Sequence, residues 1–218
     1  MKLKAVLFDF DGTLVRSIDL LVSIFERVLS ERNLSAPASA ELRKFIGRPL
    51  PEIFRIITKL EDVDAFEKRF REIEATRNNA NEIDLVQETR PTLEFLKSKG
   101  LQLGIVSTKR VEVVEKLARE LKIWEFFDTV VGRDLINKPK PDPEPILFAC
   151  EKLKVSSREI LFVGDSLLDL TAAQKAHAPF VGVLTGVCDR TEFKENRADY
   201  IFNHVGELTN LARQLNGY

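Results

Sequence analysis

Two pairs of carboxylates in the sequence have the spacing and the surroundings of a catalytic site. Asp9 and Asp11 follow a short apolar run, and Asp165 and Asp169 follow another apolar run that ends in a glycine. Side chains two residues apart on an extended chain point to the same side, so Asp9 and Asp11 can act together. Each pair alone has a simpler explanation, because acidic residues also cap helices and form turns.

The charge of such a cluster predicts bound cations. Four carboxylates at one edge of a sheet would repel one another strongly without them. We expect Mg²⁺, because this ion prefers oxygen ligands. A lysine would lower the repulsion further, and the segment Lys138-Pro139-Lys140-Pro141-Asp142-Pro143 offers two. The alternative for this segment is a rigid turn with solvated lysines.

A hydroxyl pair, Ser107 and Thr108, follows the apolar residues Gly104-Ile105-Val106. A hydroxyl group and free backbone amides before a helix can donate hydrogen bonds to phosphate, although such residues also serve as ordinary caps. No single one of these segments is specific. Their order and placement together predict a phosphate-binding active site.

Short apolar runs alternate with helical patterns along most of the chain. Strands are predicted at Ala5–Phe10, Leu103–Ser107, Thr129–Val131, Ile160–Gly164 and Phe180–Val183, with a short sixth strand at Tyr200–Phe202. Helices are predicted at Glu88–Lys99, Val111–Leu121, Pro143–Leu153 and Leu167–His177. Almost continuously apolar strands should be covered on both faces. We therefore expect an α/β fold with an open, mainly parallel, Rossmann-like sheet, which binds ligands at the carboxyl ends of its strands.

The segment from residue 17 to residue 81 has a different pattern. It contains helical patterns, such as the repeat of Ile18, Leu21, Val22 and Phe25, and no convincing strand. The segment is longer than an ordinary crossover connection. We expect a catalytic α/β core of residues 1–16 and 82–218, with an inserted α-helical cap of residues 17–81. Extra helices packed permanently on the core are the alternative.

Composition narrows the class of partner. The formal net charge is -1, so no broad basic field indicates binding of a nucleic-acid polymer or an anionic membrane. The first apolar stretch meets Asp9 too early to span a membrane or act as a signal peptide, and we expect a cytoplasmic protein. Cys150 and Cys188 form no CxxC pair and are expected to be free thiols. The expected partner is a small phosphorylated metabolite.

The order of these segments resembles the haloacid dehalogenase superfamily of phosphohydrolases. The residues that carry the resemblance are Asp9-Phe10-Asp11-Gly12-Thr13, Ser107, Lys138 and the run from Gly164 to Asp169. The insertion after Asp11 resembles the helical cap of the phosphoglycolate-phosphatase-like branch, and Phe45–Pro49 is similar to a cap turn there. The resemblance implies magnesium-dependent hydrolysis of a small phosphate monoester, with phosphoglycolate as the first candidate.

The resemblance also implies roles for the acidic residues. Asp9 is expected to be the nucleophile that forms an aspartyl-phosphate, and Asp11 the general acid and base. Mg²⁺ is expected to bind Asp9, Asp165 and the backbone carbonyl of Asp11. Asp169 is expected to hold the catalytic lysine or a metal-bound water in place.

Further residues are expected to bind the substrate. Lys138 and Ser107 should hold phosphate oxygens, and Lys138 is preferred over Lys140 because it matches the family's Lys-Pro-x-Pro pattern. Thr108 is a candidate for an extra contact. Arg48 is a candidate for binding a carboxylate on the leaving group, with a solvated arginine as the alternative.

Two other functions use similar residues. A sugar-phosphate mutase of the same superfamily returns the phosphate to another hydroxyl, and a receiver-like module holds phosphate on an aspartate without turnover. Asp11 and the expected cap favour catalysis. Neither a GxGxxG nor a GxxxxGK[ST] motif occurs to support a nucleotide-binding alternative.

Overall fold

The computed structural model describes residues 3–77 and 79–217, and within them six strands form one parallel sheet. The strands are β1 (Ala5–Phe8), β2 (Gln102–Val106), β3 (Thr129–Val131), β4 (Ile160–Gly164), β5 (Phe180–Val183) and β6 (Tyr200–Phe202). Their order is β3-β2-β1-β4-β5-β6, and every neighbouring pair is parallel. The predicted α/β fold with an open parallel sheet is confirmed.

The described residues form ten α-helices. These are α1 (Ile18–Ser30), α2 (Ser39–Arg43), α3 (Leu50–Thr58), α4 (Asp64–Arg77), α5 (Thr89–Ser98), α6 (Val111–Glu120), α7 (Glu144–Leu153), α8 (Leu167–Ala176), α9 (Arg190–Glu195) and α10 (Leu208–Asn216). Sequence patterns missed α2, α9 and α10. The first two have five and six residues, which is too short for a reliable helical repeat.

The continuous apolar runs are explained by helices on both faces of the sheet. Along β1, Val6 and Phe8 pack into one hydrophobic cluster, whereas Ala5 and Leu7 pack into a second one. The first cluster receives residues of α5, α6 and α10, and the second receives residues of α7 and α8. Strands β1, β4 and β5 therefore bury every side chain, as strands covered on both faces must.

Helices α1, α3 and α4 share aromatic packing of their own. Phe25 of α1 lies 4.6 Å from Phe70 of α4 and 5.2 Å from Phe54 of α3, measured between ring centroids. Phe54 also lies 5.4 Å from Phe66. Large rings that pack in this way bury much apolar surface, which holds the helices of this segment together.

The direction in which the chain crosses the sheet reverses beside β1. The chain proceeds from β1 to β2 and β3 on one side, and then returns to β4 on the other side. In open α/β sheets, ligands bind at this point, outside the carboxyl ends of the strands. The residues that follow β1 and β4 are therefore neighbours at the place where a ligand site is expected.

Among residues 3–77 and 79–217, no helix combines the length and the apolar character needed to cross a membrane.

Candidate active site

Three buried carboxylates meet at the ends of β1 and β4. Asp9 directly follows the residues of β1, Asp165 follows β4, and Asp169 lies in the first turn of α8. Their exposed fractions are 7%, 2% and 1%, and one carboxylate oxygen from each lies within 4.8 Å of the others. The register of the sheet brings them together, because Phe8 pairs with Val163.

A buried lysine joins two of these carboxylates. The Nζ of Lys140 lies 2.6 Å from Oδ1 of Asp9 and 2.5 Å from Oδ1 of Asp169, and it also donates to the backbone oxygen of Val106. Burial by itself lowers the pKa of Lys140, but Asp169 and Asp9 together raise that pKa above its ordinary value. Lys140 is therefore a fixed positive charge at the site.

The choice of Lys138 over Lys140 for this position is wrong. The side chain of Lys138 is exposed, and its backbone amide donates to Oε2 of Glu144 at 2.9 Å. The amide of Asn137 donates to the other oxygen of the same carboxylate at 2.7 Å. Glu144 thus holds the loop with Lys138 at the surface, while Lys140 enters the buried site.

Asp169 has both of its oxygens occupied. Oδ1 accepts from Lys140, whereas Oδ2 accepts from the hydroxyl of Ser166 at 2.5 Å and from the Ser166 amide at 3.2 Å. The Ser166 hydroxyl in turn accepts the amide of Asp169, which forms a capping box at the start of α8. Asp169 is therefore placed to orient Lys140.

Backbone approaches the Asp165 carboxylate closely. Its Oδ2 accepts the amide of Val187 at 2.8 Å, and Thr13 Oγ1 lies 3.5 Å from Oδ1. A Cβ atom at Gly186 would come within 1.7 Å of Oδ2, and one at Gly12, whose φ is +77°, would come within 2.4 Å. Both glycines are needed for the backbone to approach this carboxylate.

The carboxylate cluster suits a hard divalent cation. Burial is the main cause that raises the pKa of Asp9 to about 7 and the pKa of Asp165 well above its usual range. Among the described residues, Oδ2 of Asp9 accepts no hydrogen bond. An all-oxygen set of buried carboxylates matches the preference of Mg²⁺, and a bound cation would favour their charged forms.

Asp11 lies apart from this cluster and has its own partners. The hydroxyl of Ser17 donates to its Oδ1 at 2.5 Å, and the Nζ of Lys109 lies 3.5 Å from its Oδ2. Lys109 is buried and also pairs with Glu74 of α4. Burial alone lowers the pKa of Lys109, but Asp11 and Glu74 raise it above its ordinary value.

A cavity of about 90 Å³ lies between the sheet edge and helices α1, α3 and α4. Thr108 and Arg48 line it, and Arg48 pairs with Glu52 at 2.5 Å. Among the described lining residues Ser107 is absent; it is buried after β2, where its hydroxyl accepts the Lys109 amide at 3.1 Å. Of the hydroxyl pair, Thr108 thus faces the cavity.

Sequence patterns did not single out Lys109, Glu74, Ser17 or Arg133. Lys109 directly follows the hydroxyl pair, and this adjacency to a predicted phosphate-binding segment was the available signal. Glu74 lies on a helix with many charges, where nothing local separates an inward carboxylate from a solvated one. Such residues are recognised only by their contacts.

The chain matches a family described as haloacid dehalogenase-like hydrolase over residues 6–183. A PpaX protein of Clostridium perfringens is 34% identical over 214 residues, which cover 98% of this chain and 99% of the relative. PpaX of Bacillus mycoides, named a pyrophosphatase, is 31% identical over 222 residues and is covered completely.

A solved structure with the same fold gives a third comparison. The predicted phosphoglycolate phosphatase from Haemophilus somnus 129pt is 26% identical and has a TM-score of 0.86, covering 97% of this chain and 98% of that chain. The predicted enzyme class, a hydrolytic phosphatase of this superfamily, is confirmed. The chain belongs to the haloacid dehalogenase-like hydrolase family.

Proposed function

We propose that this phosphatase hydrolyses a small phosphorylated metabolite with Mg²⁺ and an aspartyl-phosphate intermediate on Asp9. One observation carries the proposal: Asp9 lies buried at the end of the central strand, with Oδ1 held by Lys140 and Oδ2 unoccupied among the described residues. A carboxylate with one oxygen fixed and one oxygen free can be aimed at a phosphorus atom. Asp165 and Asp169 stand beside it.

Asp9 forms the new bond in the first step. Its free oxygen attacks the phosphorus atom, and the bond from phosphorus to the leaving oxygen breaks. Lys140, in the role first assigned to Lys138, supplies positive charge beside Asp9 and binds phosphate oxygens. Asp169 holds Lys140 in position. Because both reacting groups are anionic, this fixed charge is the main electrostatic aid from the chain.

Asp11 moves the protons. It gives a proton to the leaving oxygen in the first step, and it removes a proton from the water that attacks the phosphoenzyme in the second. Its hydrogen bond from Ser17 and its proximity to Lys109 hold the carboxylate at the mouth of the site. The second step frees phosphate and restores Asp9.

Asp9, Asp165 and the backbone carbonyl of Asp11 would hold Mg²⁺. When bound, the ion supplies positive charge that offsets repulsion between the Asp9 carboxylate and an anionic phosphate. Thr108 lines the cavity and is placed to bind phosphate oxygens, and Ser107 supports the same loop. Arg48 lines the cavity from the helical segment.

We further propose that residues 17–81 act as a cap that excludes water and selects the leaving group. Gly47 of this segment approaches the core closely: a Cβ atom there would lie 3.5 Å from Leu168 and 3.9 Å from the hydroxyl of Ser166. The segment also supplies the apolar wall of the cavity, including Leu21, Phe25 and Phe70.

Two substrates are the first to test. Pyrophosphate is favoured by the name of the Bacillus mycoides relative, and phosphoglycolate by the name of the Haemophilus somnus structure. Both are small and anionic. A sugar-phosphate mutase would instead yield an isomer without release of phosphate, and a receiver-like module would be phosphorylated without repeated turnover.

The test is phosphate release across these two compounds, sugar phosphates and nucleotides, with Mg²⁺ and with excess chelator. Asp9→Asn is expected to fold and to lose turnover by at least about a thousandfold, because no other group replaces the nucleophile. Activity near that of the parent in rigorously purified Asp9→Asn protein would reject the nucleophile. Full turnover in excess chelator would reject the requirement for a metal.

A further inference from the structure

Six cationic side chains line the cavity among the described residues, and they differ in whether a carboxylate pairs with them. Five of the six pair with a carboxylate: Arg48 with Glu52, Arg71 with Glu67, Lys109 with Glu74 and Asp11, Arg110 with Glu112, and Lys140 with Asp9 and Asp169. The sixth is Arg133. Its side chain has no ion pair or hydrogen bond to any residue in the described ranges.

The position of Arg133 is fixed by backbone contacts. It begins a short 3-10 turn after β3, and its amide donates to the Lys109 oxygen at 2.9 Å. A Cβ atom at the preceding Gly132 would come within 2.8 Å of that oxygen and within 2.6 Å of the Val111 amide. Only glycine allows the two loops to pack so closely. The loop after β3 therefore lies directly against the loop that carries Thr108.

The nearest acidic residue in sequence is already used. Asp134 accepts the amide of Val111 through Oδ1 at 2.9 Å, at the start of α6. The Nε of Arg133 is fully buried, yet within the described part of the chain it has no acceptor. A buried charged donor without an acceptor is costly, so such a group is uncommon unless a ligand completes it.

We propose that Arg133 binds a second oxyanion of the substrate, one carried by the leaving group. This inference rests on the proposed function, in which Asp9 and Lys140 receive the phosphoryl group that is transferred. Arginine suits the task because its planar fork binds a carboxylate or a phosphoryl group with two hydrogen bonds. The other cations of the cavity already have carboxylate partners, with which a ligand would have to compete. Arg133 thus selects phosphate esters whose leaving group carries a second anionic group over esters with an uncharged leaving group.

The test compares ligands that carry a second anionic group with ligands that lack it. 2-Phosphoglycolate is compared with ethyl phosphate, which has a methyl group where phosphoglycolate has its carboxylate. Pyrophosphate is compared with inorganic phosphate in the same way. Binding is measured by calorimetry with Mg²⁺ in Asp9→Asn protein, so that neither turnover nor product affects the result. Both comparisons are repeated in the double variants Asp9→Asn with Arg133→Gln and Asp9→Asn with Arg133→Lys.

We expect Arg133→Gln to weaken binding of at least one ligand with a second anionic group about 10- to 100-fold, the range of a charged hydrogen-bonded pair. Binding of its truncated partner should change less than about threefold. Arg133→Lys should lose most of the discrimination, because an ammonium cannot form the fork. Arg110→Gln is the matched control, since Arg110 lines the same cavity but is exposed and faces Glu112. Arg110→Gln should leave the ratio of the two Kd values unchanged in each ligand comparison.

The inference is overturned if Arg133→Gln leaves the ratio of Kd values unchanged in both ligand comparisons. It is also overturned if the site with Arg133 intact binds the charged and truncated ligands equally or binds neither. A loss confined to phosphoglycolate identifies the carboxylate as the group recognised, and a loss confined to pyrophosphate identifies the second phosphoryl group. Because the Arg133 side chain makes no hydrogen bond to the described residues, Arg133→Gln should not lower the Tm of the parent. If it does, Arg133→Lys provides the binding measurement. If the Asp9→Asn protein discriminates between the charged and the truncated ligands but the parent releases no phosphate from any of them, the proposed function is rejected and the inference about Arg133 is not.

Discussion

The lysine beside Asp9 is ambiguous at the level of single residues. Lys138-Pro139-Lys140-Pro141 and Lys140-Pro141-Asp142-Pro143 both satisfy the Lys-Pro-x-Pro pattern, two residues apart. The two segments would place different lysines at the site. Because both match the pattern, the pattern cannot show which lysine is the catalytic one. Burial separates them, because Lys140 is 3% exposed and contacts two carboxylates.

Replacing each lysine by methionine tests this assignment. Lys140→Met leaves Asp9 and Asp169 buried without their cation, so we expect the free energy of unfolding to fall by about 3–5 kcal/mol. Phosphate turnover should fall at least about a hundredfold, because the fixed charge beside the nucleophile is lost. Unfolding in urea and kcat/KM measure the two effects.

Lys138→Met is the matched control. Since Lys138 is exposed, its replacement should change the free energy of unfolding by less than about 0.5 kcal/mol and leave kcat/KM close to that of the parent. Equal damage from both substitutions would contradict the assignment of Lys140.

At the scale of elements, one ion pair joins the helical segment to the acid and base of the site. Glu74 belongs to α4, Lys109 belongs to the loop after β2, and Lys109 also lies 3.5 Å from Asp11. The position of α4 is therefore linked through one buried ammonium to the residue proposed to move protons. This contact gives the proposed cap a direct route to the chemistry.

Glu74→Gln tests the link. The buried Lys109 would lose one of its two carboxylate partners, so we expect a loss of about 1–3 kcal/mol in the free energy of unfolding. We also expect a fall in kcat/KM and faster hydrogen exchange in α4. Glu72→Gln on the same helix removes an exposed carboxylate that pairs with Arg69 and should cost less than about 1 kcal/mol. Identical effects of the two substitutions would remove any special role for Glu74.

A second ion pair, on the outer surface, joins Glu31 at the end of α1 to Arg69 of α4. Hydrogen bonds from Arg69 and Arg27 lower the pKa of Glu31 from its ordinary 4.5 to about 2. A lowered pKa in the folded state adds stability above pH 4.5, and that stability is lost as the pH falls through about 2. The pair thus stabilises the contact between these helices at neutral pH.

We therefore expect Glu31→Gln to lower the Tm at pH 7, and the difference from the parent to shrink as the pH falls below 4.5 toward 2. The effect should be small, because the groups are exposed, and added salt should reduce it at pH 7. Thermal unfolding across this pH range measures it. A difference that is constant with pH would show that the substitution acts by another route.

For the whole molecule, a cation at the carboxylate cluster should couple folding to metal binding. The cluster joins residues that follow two different strands and begin one helix, so it exists only in the folded chain. An ion that binds the folded state alone must stabilise it. Burial of Asp9 and Asp165 without a cation opposes their charged forms, and a bound cation removes that opposition.

We expect Mg²⁺ to raise the Tm and chelator to reverse the rise. At a free concentration of about 100 times Kd, the gain should be about 2.7 kcal/mol in the free energy of unfolding. Asp165→Asn should lose most of this gain, whereas Glu72→Gln, which lies outside the cluster, should keep it. Equal Tm values with Mg²⁺ and with chelator would contradict a metal site here.

Local sequence patterns were sufficient to predict the sheet and to place the acids at its edge. Continuous apolar runs predicted strands covered on both faces, and acids that follow such runs had to lie at the carboxyl edge of a parallel sheet. These conclusions depend on local patterns, which the sequence records directly. Strand ends differ by only one or two residues from the structure, as for β1, which ends at Phe8 rather than Phe10.

Which side chains meet depends on tertiary packing and could not be predicted from those patterns. Lys140 and Asp9 are 131 positions apart, and Lys109 and Glu74 are 35 apart. Whether such residues touch depends on the direction of each side chain and on which carboxylates are already paired, and neither has a local signature. The same holds for Arg133, because the absence of an acceptor is a property of everything packed around its guanidinium.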